Sequence, residues 1–333
     1  MQRALIDKIV KATGVQAGET ILIHFWGEDA DVGLMHDFAS AVAGLGATPL
    51  ELQQSRKGNY ERFSALTRQP DSDAYFERFK NLDGVIDVFN HRPVVLDRQL
   101  EEAQLGLYRQ YMASLFRALM SAKRFSQIRL PSEENAIESG LLPQEFRERM
   151  LAAYDVDYDE IRKTGLERAD ELARSTSVTL RTGCDCRLNL SLEGRTWHVD
   201  AGDGDMPCGE VYIAPVEERT NGEVYFEKLF AEELGVYEKI VLRIQNGVIE
   251  KSGDSRFDEQ LAKLSQADKT IGELGFGINP SIKSLCGYIA LDEKAQDTFH
   301  IAMGANTMFG GKNESAVHMD LVGRAEILLQ HAG

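Results

Sequence analysis

The sequence predicts an α/β domain with a parallel sheet over residues 1–175, followed by a β-rich α+β domain over residues 176–333. Three observations carry that expectation. Helical and strand periodicities alternate through the first part, short β runs punctuated by glycine dominate after Val178, and 333 residues exceed what one ordinary domain needs.

The elements follow in order. Within residues 4–13, Leu5, Ile9 and Val10 share one helical face. Residues 20–25, Thr-Ile-Leu-Ile-His-Phe, are almost wholly apolar, as in a strand buried on both sides. Residues 31–45 return to helical spacing through Leu34, Phe38, Val42 and Leu45, then stop at Gly46. Residues 47–52 and 81–89 are two further strands, and helices between strands imply parallel pairing. A long helix or helix pair is expected over 96–124 and another, rich in acidic and basic residues, over 143–175. Beyond it, β runs occupy 178–181, 188–192, 196–199, 210–213, 239–244 and 299–303.

Composition excludes several function classes. With 37 Lys+Arg against 53 Asp+Glu, the formal charge is −16, which argues against a broad nucleic-acid surface. Four cysteines are too few for a disulfide scaffold. The pair Cys184 and Cys186 lacks the second pair that a thiolate zinc site needs, so both read as small, partly buried hydrophobes. The first residues carry charges every few positions and hold no apolar signal segment, and no run of 18 apolar residues occurs anywhere. A cytoplasmic protein without a membrane span is expected. No G-x-G-x-x-G or G-x-x-x-x-G-K-[ST] follows any strand, so a nucleotide-binding reading lacks its phosphate loop.

The unusual residues concentrate in the second half. In a strand, positions i and i+2 face the same side, so His318 and Asp320 present an imidazole beside a carboxylate. H-x-D alone is a short motif, and His300, within an apolar run, reads by itself as a core histidine. Glu210 opens a β run after a Gly209 turn, and Glu273 lies among glycines in an apolar stretch. A carboxylate in apolar surroundings is costly unless it is paired, hydrogen-bonded or bound to a metal. Together, Glu210, Glu273, His300, His318 and Asp320 supply three carboxylates and two imidazoles, the donor set of a two-metal hydrolase site. A second H-x-D, His198 and Asp200, reads as support for the Glu210 turn. Asp29 and Asp31, after the first strand, read as solvated. His24, His36, His91 and His331 show no partner constellation.

The C-terminal half resembles the thermophilic aminopeptidase family of metallopeptidases, the aminopeptidase T or leucyl aminopeptidase type. The matching segments run in order: Pro207-Cys-Gly-Glu210-Val-Tyr-Ile-Ala-Pro215, Asn221-Gly222, the run from Glu273 to Pro280, Asp292-Glu-Lys294, His300 to Gly304, and Gly310 to Asp320. The resemblance implies that Glu210, Glu273, His300, His318 and Asp320 are metal ligands for two divalent ions, whether zinc, cobalt, manganese or magnesium. It also implies release of the N-terminal amino acid from a peptide or small amino-acid-like substrate, and a homodimer. Glu210 or Glu273 would double as general base.

Two departures are visible. Long family members carry a tyrosine seven residues after the first histidine, where this chain has Thr307, and only 18 positions separate His300 from His318. The usual Thr-Gly-Thr-Asp is here Thr182-Gly-Cys184-Asp185. An alternative is a mononuclear iron enzyme of the 2,5-dihydroxypyridine dioxygenase type, similar in scaffold, whose third ligand would fall at Glu273 rather than at a histidine. A non-peptidase relative on the same scaffold is a third.

Overall fold

The computed structural model describes residues 1–68, 73–92, 100–231 and 234–331, without the side chains of Glu138 and Cys184. In chain order the first elements are α1 (Arg3–Ala12), β1 (Thr20–Trp26), α2 (Val32–Gly44), β2 (Thr48–Gln54), α3 (Arg56–Ser64), α4 (Asp73–Phe76) and β3 (Gly84–Phe89). Next come α5 (Glu102–Leu119), β4 (Phe125–Arg129), α6 (Glu133–Glu138), α7 (Pro143–Tyr154) and α8 (Tyr158–Leu172). The strands β5 (Ser175–Arg181), β6 (Arg187–Ser191), β7 (His198–Asp200), β8 (Asp205–Met206), β9 (Glu210–Ile213), β10 (Asn221–Ala231), β11 (Gly235–Gln245) and β12 (Val248–Ser252) follow. The chain closes with α9 (Ser255–Leu261), β13 (Ile271–Gly277), α10 (Ile289–Asp292), β14 (Phe299–Gly304), β15 (His318–Gly323) and β16 (Glu326–His331).

Contacts divide the chain into two units. One holds Met1–Asp155 with Gly202–Pro207, the other Val156–Ala201 with Cys208–Gly333. In the first, a parallel sheet runs β2-β1-β3-β4-β8. Every residue of β3 is buried, and all but the first of β1, as the apolar run at 20–25 foretells. Leu22 and Val85 pack with Phe63 of α3 and with Tyr108, Tyr111 and Leu115 of α5. Of the helix expected over 96–124, α5 covers Glu102–Leu119, while residues 96–99 lie outside the described part. The stretch 143–175 is the helix pair, α7 and α8. The chain leaves helical geometry at Asp155, and Asp157 starts α8 by accepting the backbone N–H groups of Asp159 and Glu160.

The second unit is built on two antiparallel sheets, ordered β12-β11-β10-β6-β5-β16 and β15-β14-β13-β9-β7. Between them lies one apolar core that joins Val178, Leu180, Leu188, Leu190, Val224 and Phe226 to Val211, Ile213, Leu274, Ile301 and Leu321. Burying each of these side chains is worth about 1.5–3 kcal/mol, which is what holds the sheets face to face. Leu172 belongs to that core and Ala169 packs against it. This is why α8 joins the β-rich unit and the division falls at Asp155/Val156, ahead of the expected 175. Val211, Ile213, Leu274, Ile301 and Leu321 use one face of the second sheet. By the period of two, their neighbours use the other.

Candidate metal centre

That opposite face carries the donors. Register places Glu273, Ala302 and Asp320 in one row across β13, β14 and β15. The next row holds His198, Tyr212, Gly275 and His300, and the row beyond holds Asp200, Glu210 and Gly277. His318 sits two residues before Asp320, opposite Gly304. Directly opposed residues share a face, so the five predicted side chains converge although 110 positions separate Glu210 from Asp320. Small residues keep the space open. A methyl group at Gly275 would collide with the His300 ring.

Glu273 is the centre of the arrangement. Its Oε1 lies 3.2 Å from His300 Nε2, and its Oε2 lies 3.4 Å from His318 Nε2. Glu210 Oε2 is 3.4 Å from His300 Nε2, and Asp320 Oδ2 is 3.8 Å from His318 Nε2. Two trios result, Glu210–Glu273–His300 and Glu273–His318–Asp320, each with donor atoms within 4.8 Å of one another. His318 Nδ1 donates to Ala305 O at 2.9 Å. That bond orients the ring and turns Nε2 toward two carboxylates. Imidazole nitrogens and carboxylate oxygens converging within reach of one another are the donor set of a divalent cation, and these residues fit one.

Electrostatics point the same way. Burial, then Glu293 and Glu273, push the Asp320 carboxyl well above the ordinary carboxylate range. Burial also raises Glu210, aided by Glu293 and opposed by Lys294. Burial would raise Glu293 as well, but Lys294 and His300 outweigh it and hold that carboxyl at about 2. For His300, burial is overcome by the hydrogen bond to Glu273 and the charges of Glu210, Glu273 and Glu293, which raise the imidazole.

Glu293 and Lys294 lie within a matching segment, Asp292-Glu-Lys294, that assigns them no part in the site. Lys294 Nζ, 3 % exposed, is 2.5 Å from Glu210 Oε1, 2.9 Å from Glu293 Oε1 and 3.9 Å from Asp200 Oδ2. The adjacent acid and base just before β14 were the available signal. Tyr212 also went unassigned. Its phenol is pushed up by burial and then by Glu210 and Glu273. Asp200 stands opposite Glu210 on β7, and His198 stacks on Tyr212 with ring centres 5.3 Å apart. Thr307 starts a short turn ending at Phe309, and Phe309 meets His318 edge-on at 6.2 Å.

The remaining sequence candidates have local roles. Asp31 accepts the Glu28 backbone N–H, and Asp29 accepts from Gln53. Cys186 is buried, and the Cys184 side chain lies outside the described part. His24, read as isolated, has a partner after all, since its Nδ1 is 2.9 Å from Asp87 Oδ1 inside the parallel sheet.

Comparison with known proteins bears on the fold and the family. Among solved structures, AmpT from Thermus thermophilus has the same fold with a TM-score of 0.71 at 18 % identity, covering 97 % of this chain and 94 % of that one. A 2,5-dihydroxypyridine dioxygenase from Pseudomonas putida KT2440 follows at TM-score 0.65 and 15 % identity, covering 98 % and 93 %. At these identities both are likenesses of fold. No curated protein sequence matches. No helix among the described residues is long and apolar enough to cross a membrane. The model of the thermophilic metalloprotease family (M29) matches residues 12–330, nearly the whole chain, and the chain therefore belongs to that family of metal-dependent peptide hydrolases.

Proposed function

We propose that this chain is an aminopeptidase that removes the N-terminal residue of peptides with two divalent ions, held by Glu210, Glu273 and His300 on one side and by Glu273, His318 and Asp320 on the other. The single observation that carries the reading is Glu273, whose two oxygens face two different histidines. Charge supports the number. Asp200, Glu210 and Glu293 face the Lys294 ammonium, and Glu273 and Asp320 stand beside the two histidines. Five carboxylates against one ammonium leave a formal excess of four negative charges, the charge of two divalent cations.

Bound divalent ions supply Lewis acidity toward the scissile carbonyl and acidify a water molecule. The protein's own side chains do the rest. Glu273 fixes the spacing between the two halves of the site. Lys294 holds Glu210 and Glu293 in place, and the carboxylate-rich floor attracts the free α-ammonium of a substrate. Glu210 or Glu273 accepts the proton of the attacking water. The dioxygenase alternative would need one iron, and Glu273 stands where that reading wants a histidine. Zinc, cobalt, manganese and magnesium all suit the donors. A homodimer and a cytoplasmic setting complete the proposal, and sedimentation and cell fractionation test them.

Elemental analysis of the purified protein, followed by a screen of aminoacyl-p-nitroanilides with added Zn, Co or Mn, is the test. Two ions per chain and cleavage of free-amino but not N-acetylated substrates are expected. One iron per chain with oxygen uptake on a dihydroxypyridine would replace the proposal.

A further inference from the structure

Of the five donors, four are nearly closed off from solvent, whereas the His318 side chain is 38 % exposed. Solvent, and therefore a substrate, reaches the cluster from the His318 side. Phe309 stands there as the hub of an aromatic surface. Its ring centre lies 5.5 Å from Tyr212, 6.2 Å from His318 and 6.5 Å from His198, each approach edge-on. Phe309, Tyr212 and His198 are all half-buried, and Met308 beside them is 84 % exposed. Tyr212 and His198 belong to the row that also carries His300, so this surface continues the donor face of the sheet.

The loop that presents Phe309 is rigidly held. Glu217, 89 positions before Asn306, accepts from Asn306 Nδ2 at 2.9 Å, from the Lys312 backbone N–H at 2.7 Å and from Arg195 Nη2 at 2.5 Å. Arg195 also donates to Gly310 O. Asn306 Oδ1 accepts the Asn313 N–H at 2.8 Å, and Asn313 Nδ2 donates to Gly304 O at 2.7 Å. A half-exposed aromatic ring on a pinned loop, at the open side of a polar centre, is what a preformed apolar subsite requires.

We propose that Phe309, Tyr212 and His198 form the wall that receives the side chain of the substrate's N-terminal residue, selecting large apolar and aromatic residues over alanine and over lysine. The proposal rests on the aminopeptidase reading. An apolar side chain gains by covering these rings, and aromatic pairs add an edge-to-face contribution beyond area. Alanine is too short to cover them.

The test compares kcat/KM of the zinc-loaded wild type, Phe309→Ala and Phe309→Leu on Phe-, Leu-, Lys- and Ala-p-nitroanilide. Wild type should prefer Phe and Leu over Ala by about tenfold or more, and Phe309→Ala should lower the Phe/Ala ratio about tenfold, chiefly through KM. Phe309→Leu should keep most of the ratio. Lysine preferred over phenylalanine, a wild-type ratio near one, or a ratio unchanged in Phe309→Ala overturns the proposal. Circular dichroism confirms that the variants are folded. Calorimetric titration of wild type and Phe309→Ala with L-phenylalaninamide and L-alaninamide separates the two levels. If no anilide is cleaved but wild type binds the phenylalanine amide about tenfold tighter, and Phe309→Ala does not, the wall stands and the peptidase reading falls. Equal affinities sink the wall.

Discussion

Each unit of this molecule buries a histidine against a carboxylate, and the two pairs differ in what surrounds them. In the parallel sheet, His24 Nδ1 meets Asp87 Oδ1 at 2.9 Å, and the same oxygen accepts Trp26 Nε1–H at 2.9 Å. Aromatic rings of Trp26 and Phe116 enclose the imidazole. One carboxylate lies against one imidazole and accepts from one indole in an apolar setting. In the second unit, His300 meets Glu273 at 3.2 Å and Glu210 at 3.4 Å, with Glu293, Asp320 and His318 close by. Carboxylates there outnumber cations. A single carboxylate enclosed by an imidazole and aromatic rings is part of a core, whereas a buried cluster of several carboxylates, kept despite its desolvation cost, marks a place built for a counter-charge.

That contrast can be broken from either side. The largest effect belongs to His318→Ala or Asp320→Ala, each of which should lower peptidase activity roughly a thousandfold or more, together with metal content, in a protein that stays folded. Full activity in either variant would remove the site. Next, Asp87→Ala removes the acceptor of the buried Trp26 indole N–H and the carboxylate beside His24, and should cost about 3 kcal/mol in urea denaturation. Its metal content should equal that of wild type; a loss would mean that the His24–Asp87 pair belongs to the chemistry after all. Lys294→Met removes the ammonium that holds Glu210 and Glu293 and should weaken metal binding by about ten- to a hundredfold in a chelator competition. Unchanged affinity would make Lys294 a bystander.

The smallest effect concerns Glu217. Burial would raise its carboxyl, but the Lys312 N–H, Asn306 and Arg195 outweigh burial and hold it below the ordinary 4.5. A depressed folded value means that the stabilisation is fully present above 4.5 and is lost as pH falls through the lower folded value. Glu217→Gln should therefore cost about 1 kcal/mol near neutrality, and its difference from wild type should shrink in acid. A difference that grows on acidification would contradict the assignment.

The alternation that makes a strand is what made the donors readable. His318 and Asp320 are two apart, and Glu273 lies in an apolar run where a carboxylate needs a reason. Their meeting was not readable from spacing, because β9, β13, β14 and β15 are joined through pairings that no local pattern announces. Lys294 was hidden for a related reason. It follows α10 just after a turn, and only tertiary contact reveals that its ammonium is 2.5 Å from Glu210. The parallel sheet was legible from the apolar runs at β1 and β3. Its last strand, β8, was not, since two residues carry no periodicity and reach the edge of the sheet only by pairing with β4. The division near Asp155 escaped for want of any compositional break, because α8 looks like α7 in sequence and differs in what it packs against.

A two-ion site of this kind depends on Glu273 serving both of its halves. Zinc content per chain after equilibrium dialysis, measured for wild type and for Glu273→Gln, tests this directly. Two ions in wild type and one or fewer in the variant are predicted. A wild type that saturates at one ion, or a Glu273→Gln variant that still holds two, would contradict it.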